Sequence, residues 1–330
     1  MFKRVFVKMI FAVLGIALLG GCAGQSQAPK EAVTIGMAKS LNYMLLVALE
    51  QGYFSNEGLE VTIVEYSTGK RVLQDGVFAG EVDMGVVGLG PLTFASLERD
   101  DFKIVGSIST FFDLYRIVAR KDAGISTPAD LAGKRVATSK GSSFHYFLHN
   151  FLIENKLSEE DIEMSFPKAA ELPQALADGE VDAFSGREPF ISEAQALLGD
   201  EAIVFSELEL PANTLNLVAL DGLVNERPEV VESVLRALLQ AEEFIRKNPE
   251  KSIKIVAEAL EIEESELTER WPHVILRVSL DQELIMELEN IARWAIRTEL
   301  TEQTEEPNYL DYLYVDGLEK VNAKIVTVIK

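Results

Sequence analysis

Ile35-Gly36-Met37-Ala38-Lys39-Ser40, then a helical stretch, then Ser55-Asn56-Glu57-Gly58-Leu59-Glu60-Val61 and later Gly80-Glu81-Val82-Asp83 form an ordered series that the chain goes through twice. The second pass reads Val136-Ala137-Thr138-Ser139-Lys140-Gly141, a helical stretch, Ser158-Glu159-Glu160-Asp161-Ile162-Glu163-Met164 and Gly179-Glu180-Val181-Asp182. Each copy alternates short β-like runs with helical patterns, which is the layout of a βαβαβ unit with parallel strands. Two such units imply an α/β chain with two similar lobes. They also imply a crevice where the carboxyl ends of their strands face each other, the place where open α/β sheets bind ligands.

Working outward, Ala32 to Met37 reads as a strand and Asn42 to Gln51 as a helix stopped by Gly52. Leu59 to Tyr66 alternates apolar and polar residues, so it is a strand, ended by Ser67-Thr68-Gly69. A helix over Arg71 to Ala79 leads to strand Met84 to Val87 and a turn, Gly88-Leu89-Gly90-Pro91. Further strands are expected at Ile104 to Ile108 and Tyr115 to Ala119, and Thr127-Pro128 marks a helix start. In the second unit Ala183 to Ser185 ends in Gly186-Arg187-Glu188-Pro189, followed by strands over Ala202 to Phe205 and Leu215 to Leu220. From Pro228 the pattern turns helical, with Val231, Val234, Leu235, Leu238, Phe244 and Ile245 on one face. This helical tail is expected to pack on the first lobe.

The N-terminus has a different character. Lys3, Arg4 and Lys8 precede the apolar run Met9 to Leu19, which is too short to span about 30 Å of hydrocarbon with polar flanks so close. It reads as a signal peptide. Small residues, Gly20 and Gly21, then lead to Cys22, the sole cysteine of the chain, which excludes an intramolecular disulfide. Gly24 to Lys30 is a polar tether.

With 330 residues, 48% of them hydrophobic, the chain has material for sizeable cores. Its formal net charge of −22 disfavours nucleic acid as a partner, because phosphates would be repelled. The acidity is spread along helices such as Glu261 to Glu269, as a solvated face is. No run after the leader is long enough to cross a membrane.

The candidate ligand contacts follow from strand ends. Lys39-Ser40 and Lys140-Gly141-Ser142-Ser143 feed directly into helices, whose first backbone N–H groups and positive dipole ends point into the crevice and suit a small anion. Ser40, Ser142 and Ser143 are therefore candidates, although serine is also the preferred helix cap. Thr68, Gly88 and Gly90 end other strands of the first unit, where glycine lets a ligand approach the backbone. Arg187 and Glu188, adjacent at a strand end, offer a planar fork for a carboxylate or sulfonate and an acceptor for an amine, or else a salt bridge across the hinge. Leu41, Asn42 and Asn213 complete the set. Phe111, Phe112 and Tyr115 wall the ligand or pack the core. His145 and His149 share one helix face but lack a third ligand nearby in sequence, so no metal is expected. Gly-Lys-Ser phosphate loops and Gly-x-Ser-x-Gly elbows are absent, and no cofactor is implied.

Taken together, the Cys22 leader, Glu50-Gln51-Gly52-Tyr53-Phe54, Glu57-Gly58-Leu59-Glu60-Val61, Gly80-Glu81-Val82-Asp83, Pro128-Ala129-Asp130-Leu131-Ala132-Gly133-Lys134-Arg135-Val136, Lys140-Gly141-Ser142-Ser143 and Val181-Asp182-Ala183 resemble the periplasmic solute-binding proteins of ABC importers. The likeness runs from Thr34 to Lys320 and is greatest to the sulfonate, taurine, nitrate and thiamine-precursor branch. It implies a two-lobed type II periplasmic binding fold with a helical C-terminal region. On that plan residues 1–21 are the signal peptide, 22–31 the tether, 32–116 the first part of lobe 1, 117–220 lobe 2, and 221–330 the rest of lobe 1. The hinge is then expected near Arg116 to Arg120 and Leu217 to Asp221.

The resemblance further implies a monomer lipidated at Cys22, held outside the cytoplasm on a membrane, which hands a small polar or anionic molecule to a permease driven by an ATPase. Members of the branch often carry an aromatic residue where this chain has Arg187, which loosens any inference to taurine or to a pyrimidine. Two rivals share the fold: an enzyme of the pyrimidine-precursor synthase or menaquinone-pathway type, and a ligand sensor for a membrane kinase. The enzymes are similar to cytoplasmic proteins that need no leader.

Overall fold

The computed structural model describes residues 30–38, 41–112, 114–206 and 213–329. Cys22 with its leader, Lys39 and Ser40 lie outside the described residues. The first copy of the repeat builds β1 (Glu31–Ala38), α1 (Tyr43–Glu50), α2 (Tyr53–Asn56), β2 (Leu59–Tyr66), α3 (Gly69–Arg71), β3 (Met84–Gly88) and α4 (Leu89–Ser96). A π-helical segment, Val72–Val77, continues α3, where the sequence suggested one longer α-helix. The chain then forms β4 (Phe102–Phe111) and β5 (Arg116–Arg120). The second copy gives β6 (Arg135–Ala137), α5 (Ser143–Glu154), β7 (Glu163–Ser165), α6 (Leu172–Ala177), β8 (Ala183–Gly186) and α7 (Phe190–Leu198). Then come β9 (Ala202–Phe205), β10 (Asn213–Leu220), α8 (Asp221–Glu226), α9 (Pro228–Lys247), α10 (Pro249–Leu260), α11 (Glu264–Arg270), β11 (Val274–Ile275), α12 (Gln282–Arg297) and α13 (Val315–Asn322).

Two sheets result, ordered β11-β4-β10-β3-β1-β2 and β7-β6-β8-β5-β9. In the first, β1 lies parallel between β2 and β3; in the second, β6 lies parallel between β7 and β8. The repeated Gly-Glu-Val-Asp has a structural cause. Gly80 and Gly179 take left-handed φ values of 73° and 71°, which a side chain would strain. The Asp83 carboxylate then accepts from the Thr34 N–H and hydroxyl, both at 2.7 Å, and the Asp83 N–H donates to the Thr34 carbonyl. Asp182 repeats this on the Arg135 backbone, accepting its N–H at 2.9 Å. Each aspartate thus ties the entry of the third strand to the entry of the first, at the sheet end opposite the crevice.

The antiparallel strand beside each parallel trio comes from outside its own repeat. β5 pairs with β8, and β10 pairs with β3 and β4. This corrects the expected boundaries. Arg116 to Arg120 is a strand of the second sheet and Leu217 to Leu220 a strand of the first, so neither segment runs between the sheets. It also moves β10 out of the stretch 117–220 expected as the second lobe. The reason is pairing: a strand's sheet is set by its partners, which its own sequence does not name.

Two separate cores match the two sheets. The C-terminal helices contribute Val231, Leu235, Leu238, Leu288 and Trp294 to the first, as the periodicity from Pro228 predicted. Gly88 to Pro91, expected as a turn, instead opens α4 with Pro91 in its first turn, where a missing N–H is tolerated. Among the described residues no helix is long and apolar enough to cross a membrane.

Candidate functional site

Between the sheets lies a cleft of about 480 Å³. Its floor is built from helix starts. Asn42 stands at the N-cap of α1 and donates from Nδ2 to the Ala38 carbonyl, while its buried Oδ1 has no hydrogen-bond partner among the described residues. Thr68 caps α3, accepting the Arg71 N–H at 3.3 Å. Ser142 caps α5, accepting from the Phe144 N–H at 3.2 Å and donating to the Ser139 carbonyl at 2.6 Å. Ser142 therefore both caps and faces the cleft. Gly88 is glycine because a Cβ there would meet Asn213 Oδ1 at 2.9 Å, so Asn213 sits against the start of α4.

The electrostatics are one-sided. Among the described residues, Lys70, Arg71, Lys140, Lys168 and Arg187 line the cleft and no aspartate or glutamate does, in a chain of net charge −22. The acids that Arg71 and Lys168 reach, Asp75 and Glu171, lie off the lining. Arg187 is the deepest cation, 7% exposed, donating from Nη1 to the Glu188 carbonyl at 3.0 Å. Burial lowers its pKa, so water stabilises this charge poorly and an anion in the cleft would stabilise it strongly. Beside it, burial pushes Tyr115 up to about 12, with the Ser143 hydroxyl and the Arg187 charge acting the other way. Phe144, Phe166, Phe190 and Leu215 supply an apolar wall.

Of the expected contacts, Leu41, Asn42, Thr68, Ser142, Ser143, Arg187 and Asn213 come together on this cleft. Gly90 does not line this cleft but an adjoining smaller space. Its N–H donates to Ser143 Oγ at 3.3 Å, and a Cβ there would lie 2.6 Å from the Ser143 nitrogen, so it is a point of close approach between the two sheets' helices. Glu188 turns away from the cleft. Its carboxylate accepts from the Ser192 N–H at 3.1 Å and hydroxyl at 2.7 Å, and lies 3.8 Å from Arg270 in a small pocket of about 70 Å³. Phe111 packs edge-on against Tyr43 in the core, and Phe112 lines that small pocket.

His145 and His149 face Glu159, at 3.8 and 3.0 Å, and neither lines the cleft. Burial alone would raise Glu159, but the two histidines hold it down at about 2. Trp294 of α12 packs on both rings and donates to Glu159 at 3.4 Å, clasping the lobes together. Among the described residues no group of histidines, cysteines and acids is placed to hold a metal.

Sequence reasoning missed Lys70, Arg71, Gln74, Phe166, Lys168 and Phe190. The repeat held a signal for two of them: Thr68-Gly69-Lys70 ends the second strand of the first unit, and Phe166-Pro167-Lys168 ends its counterpart, so both units send a lysine to the cleft.

A family model described as NMT1/THI5 like matches residues 42–252, more than half of the chain. This chain belongs to the NMT1/THI5-like family. A relative in Bacillus subtilis (strain 168) that is named for aliphatic sulfonate binding is 29% identical over 62% of this chain, and the match spans 61% of that relative's length. The alkanesulfonate-binding protein SsuA from Xanthomonas axonopodis pv. citri, solved bound to MOPS, has a TM-score of 0.71 at 25% identity over 84% of this chain and 96% of its own. The desulfurization enzyme DSZB shares the fold at a TM-score of 0.64 and 17% identity, over 89% of this chain and 99% of its own. The family member therefore has the two-lobed periplasmic binding fold, a fold that also carries catalysis elsewhere.

Proposed function

We propose that this protein is an extracytoplasmic substrate-binding lipoprotein of an ABC import system. In this reading it acts as a monomer, closes its lobes on a small organic anion of the sulfonate type, and presents it to a permease coupled to an ATPase. The observation that carries the reading is the gathering of five cations on one cleft in so acidic a chain. A negative headgroup among Arg187, Lys140 and the starts of α1 and α5 gains charge-assisted hydrogen bonds where water is largely excluded. A neutral pyrimidine, the alternative suggested by thiamine-precursor binders, would gain less from these cations than an anion does. The enzyme reading has less support, because the relatives named above for aliphatic sulfonate and alkanesulfonate binding are binding proteins. A sensor would use the same closure, and a permease gene beside this one would speak for transport.

Calorimetry on the purified protein with alkanesulfonates and with the thiamine pyrimidine tests the ligand class: sulfonate binding is expected. Binding of the pyrimidine alone would overturn the reading. Lipidation has its own test. A labelled fatty acid should mark the wild type made in bacteria and leave Cys22→Ser unmarked, and equal labelling would refute an anchor there.

A further inference from the structure

His145 is buried on α5 and does not line the cleft, yet it holds the segment that does. Nδ1 accepts the Gly141 N–H at 3.5 Å, and Phe166 meets the ring edge-on with centroids 5.2 Å apart. Lys140 and Ser142, on either side of Gly141, line the cleft, as Phe166 does. From the first lobe, Trp294 of α12 meets the same imidazole edge-on, with centroids 5.0 Å apart. One side chain thus stands between the cleft loop 140–142 and a ring brought by the other lobe.

The surroundings seat that imidazole. A backbone N–H on Nδ1 leaves the proton of the neutral ring on Nε2, which faces Glu159 at 3.8 Å and has no hydrogen-bond partner among the described residues. Glu159 accepts the Trp294 indole N–H at 3.4 Å. Against the burial that would raise it, His145 and His149 hold the Glu159 carboxyl at about 2, so it stays ionised as the acceptor of that N–H. Trp294 is 2% exposed, and Phe94 of α4 backs it edge-on at 6.0 Å. Phe94 also lies against Gly141, where a Cβ would come 3.5 Å from its ring. The contacts that Trp294 and Phe94 make with the second lobe break together when α4 and α12 part from α5.

We propose that His145 is a positioning residue for ligand capture: it couples the seating of Trp294 to the geometry of the loop 140–142, so that the loop takes its binding form only when the lobes are together. The inference rests on the cleft being where the ligand sits. Such coupling runs both ways. A ligand held by Lys140, Ser142 and the start of α5 favours a seated Trp294, and a seated Trp294 raises affinity for a ligand that it never touches.

Trp271→Phe leaves Trp294 as the chain's only tryptophan, and acrylamide quenching of its fluorescence then reads its exposure. Saturating ethanesulfonate should shield it. His145→Leu should reduce that shielding and weaken ethanesulfonate binding in calorimetry by about tenfold or more, and Trp294→Ala should weaken binding by as much. The double variant should lose no more than either single one, because both break the same connection, whereas two independent structural losses would add. A further arm needs no ligand. Gly90→Ala, whose Cβ presses on the backbone of Ser142 and Ser143, should raise the quenching of Trp294 in the empty protein. Bound ethanesulfonate with unchanged quenching, additive losses, or a Trp294 still shielded in Gly90→Ala would each overturn the proposal. If ethanesulfonate does not bind the wild type, the anion reading falls, and the Gly90→Ala measurement still decides whether loop and ring are coupled. That measurement also leaves His145 in place, so it holds if His145→Leu fails to fold.

Discussion

Arg187 and Glu287 are ionisable groups whose charge burial disfavours, and each gives a measurable expectation. Arg187 stands at the end of β8, nearly buried, so its charge is worth most where an anion replaces water. Removing a charge-assisted bond from such a place costs about 2 to 5 kcal/mol, roughly thirtyfold or more in affinity. Arg187→Ala should therefore weaken anion binding by that factor in calorimetry while shifting the empty protein's thermal midpoint little; a lost midpoint with intact affinity would make Arg187 a structural residue. Glu287 gives a pH dependence in the empty protein. Its folded value near 8 lies above the ordinary 4.5, so the stability carried by the protonated form is complete below about pH 4.5 and disappears as pH rises through 8. Glu287→Gln should match the wild type near pH 4 and melt higher than it at pH 9. Parallel midpoints across that range would show that Glu287 ionises freely.

Among the elements, the starts of α4 and α5 and the flank of α12 decide how the lobes meet. Gly90 sits inside α4, where alanine is the better helix former by about 1 kcal/mol, so Gly90→Ala should leave the fold as stable or more stable. Its added Cβ, however, would press on the backbone of Ser142 and Ser143 at 2.9 and 2.6 Å. The conflict exists only when the lobes are together, so the cost falls on closure. Ligand affinity should drop about tenfold or more, a population shift of at least 1.4 kcal/mol towards the open form. A variant that binds as well as the wild type would mean that α4 and α5 part when ligand is held. The clasp of Trp294 on His145 and His149 over Glu159 is the second such contact, and it joins α12 to α5.

At the scale of the whole molecule, two cores match two sheets, and the cleft lies between them. A ligand can shift such an equilibrium only through contacts that the open form lacks. The cations supply them from both sides: Lys70 and Arg71 come from α3 beside the first sheet, and Lys140, Lys168 and Arg187 follow strands of the second. Small-angle scattering should show a smaller radius of gyration with saturating sulfonate than without it. An unchanged radius at saturation would argue against a closing receptor.

The order of strands and helices was legible in the sequence because it rests on local chemistry. Period-two alternation marked β2, the apolar stripe from Val231 to Ile245 marked α9, and the paired Gly-Glu-Val-Asp motifs marked the repeat, since a left-handed glycine and a backbone-binding aspartate act within one crossover. Serines at strand ends were legible for the same reason, as helix starts need caps. What the sequence left open was which distant segments meet. β10 joins the first sheet through its partners β3 and β4; Glu188 turns from the cleft because Ser192, one turn on, binds it; Glu287 and Trp294 reach α5 only because α12 packs against α4 on the first core. Periodicity reports which face of an element is buried. The neighbour that buries it is chosen by the packing of the whole chain, and here that choice gathered cations from both sheets on one cleft.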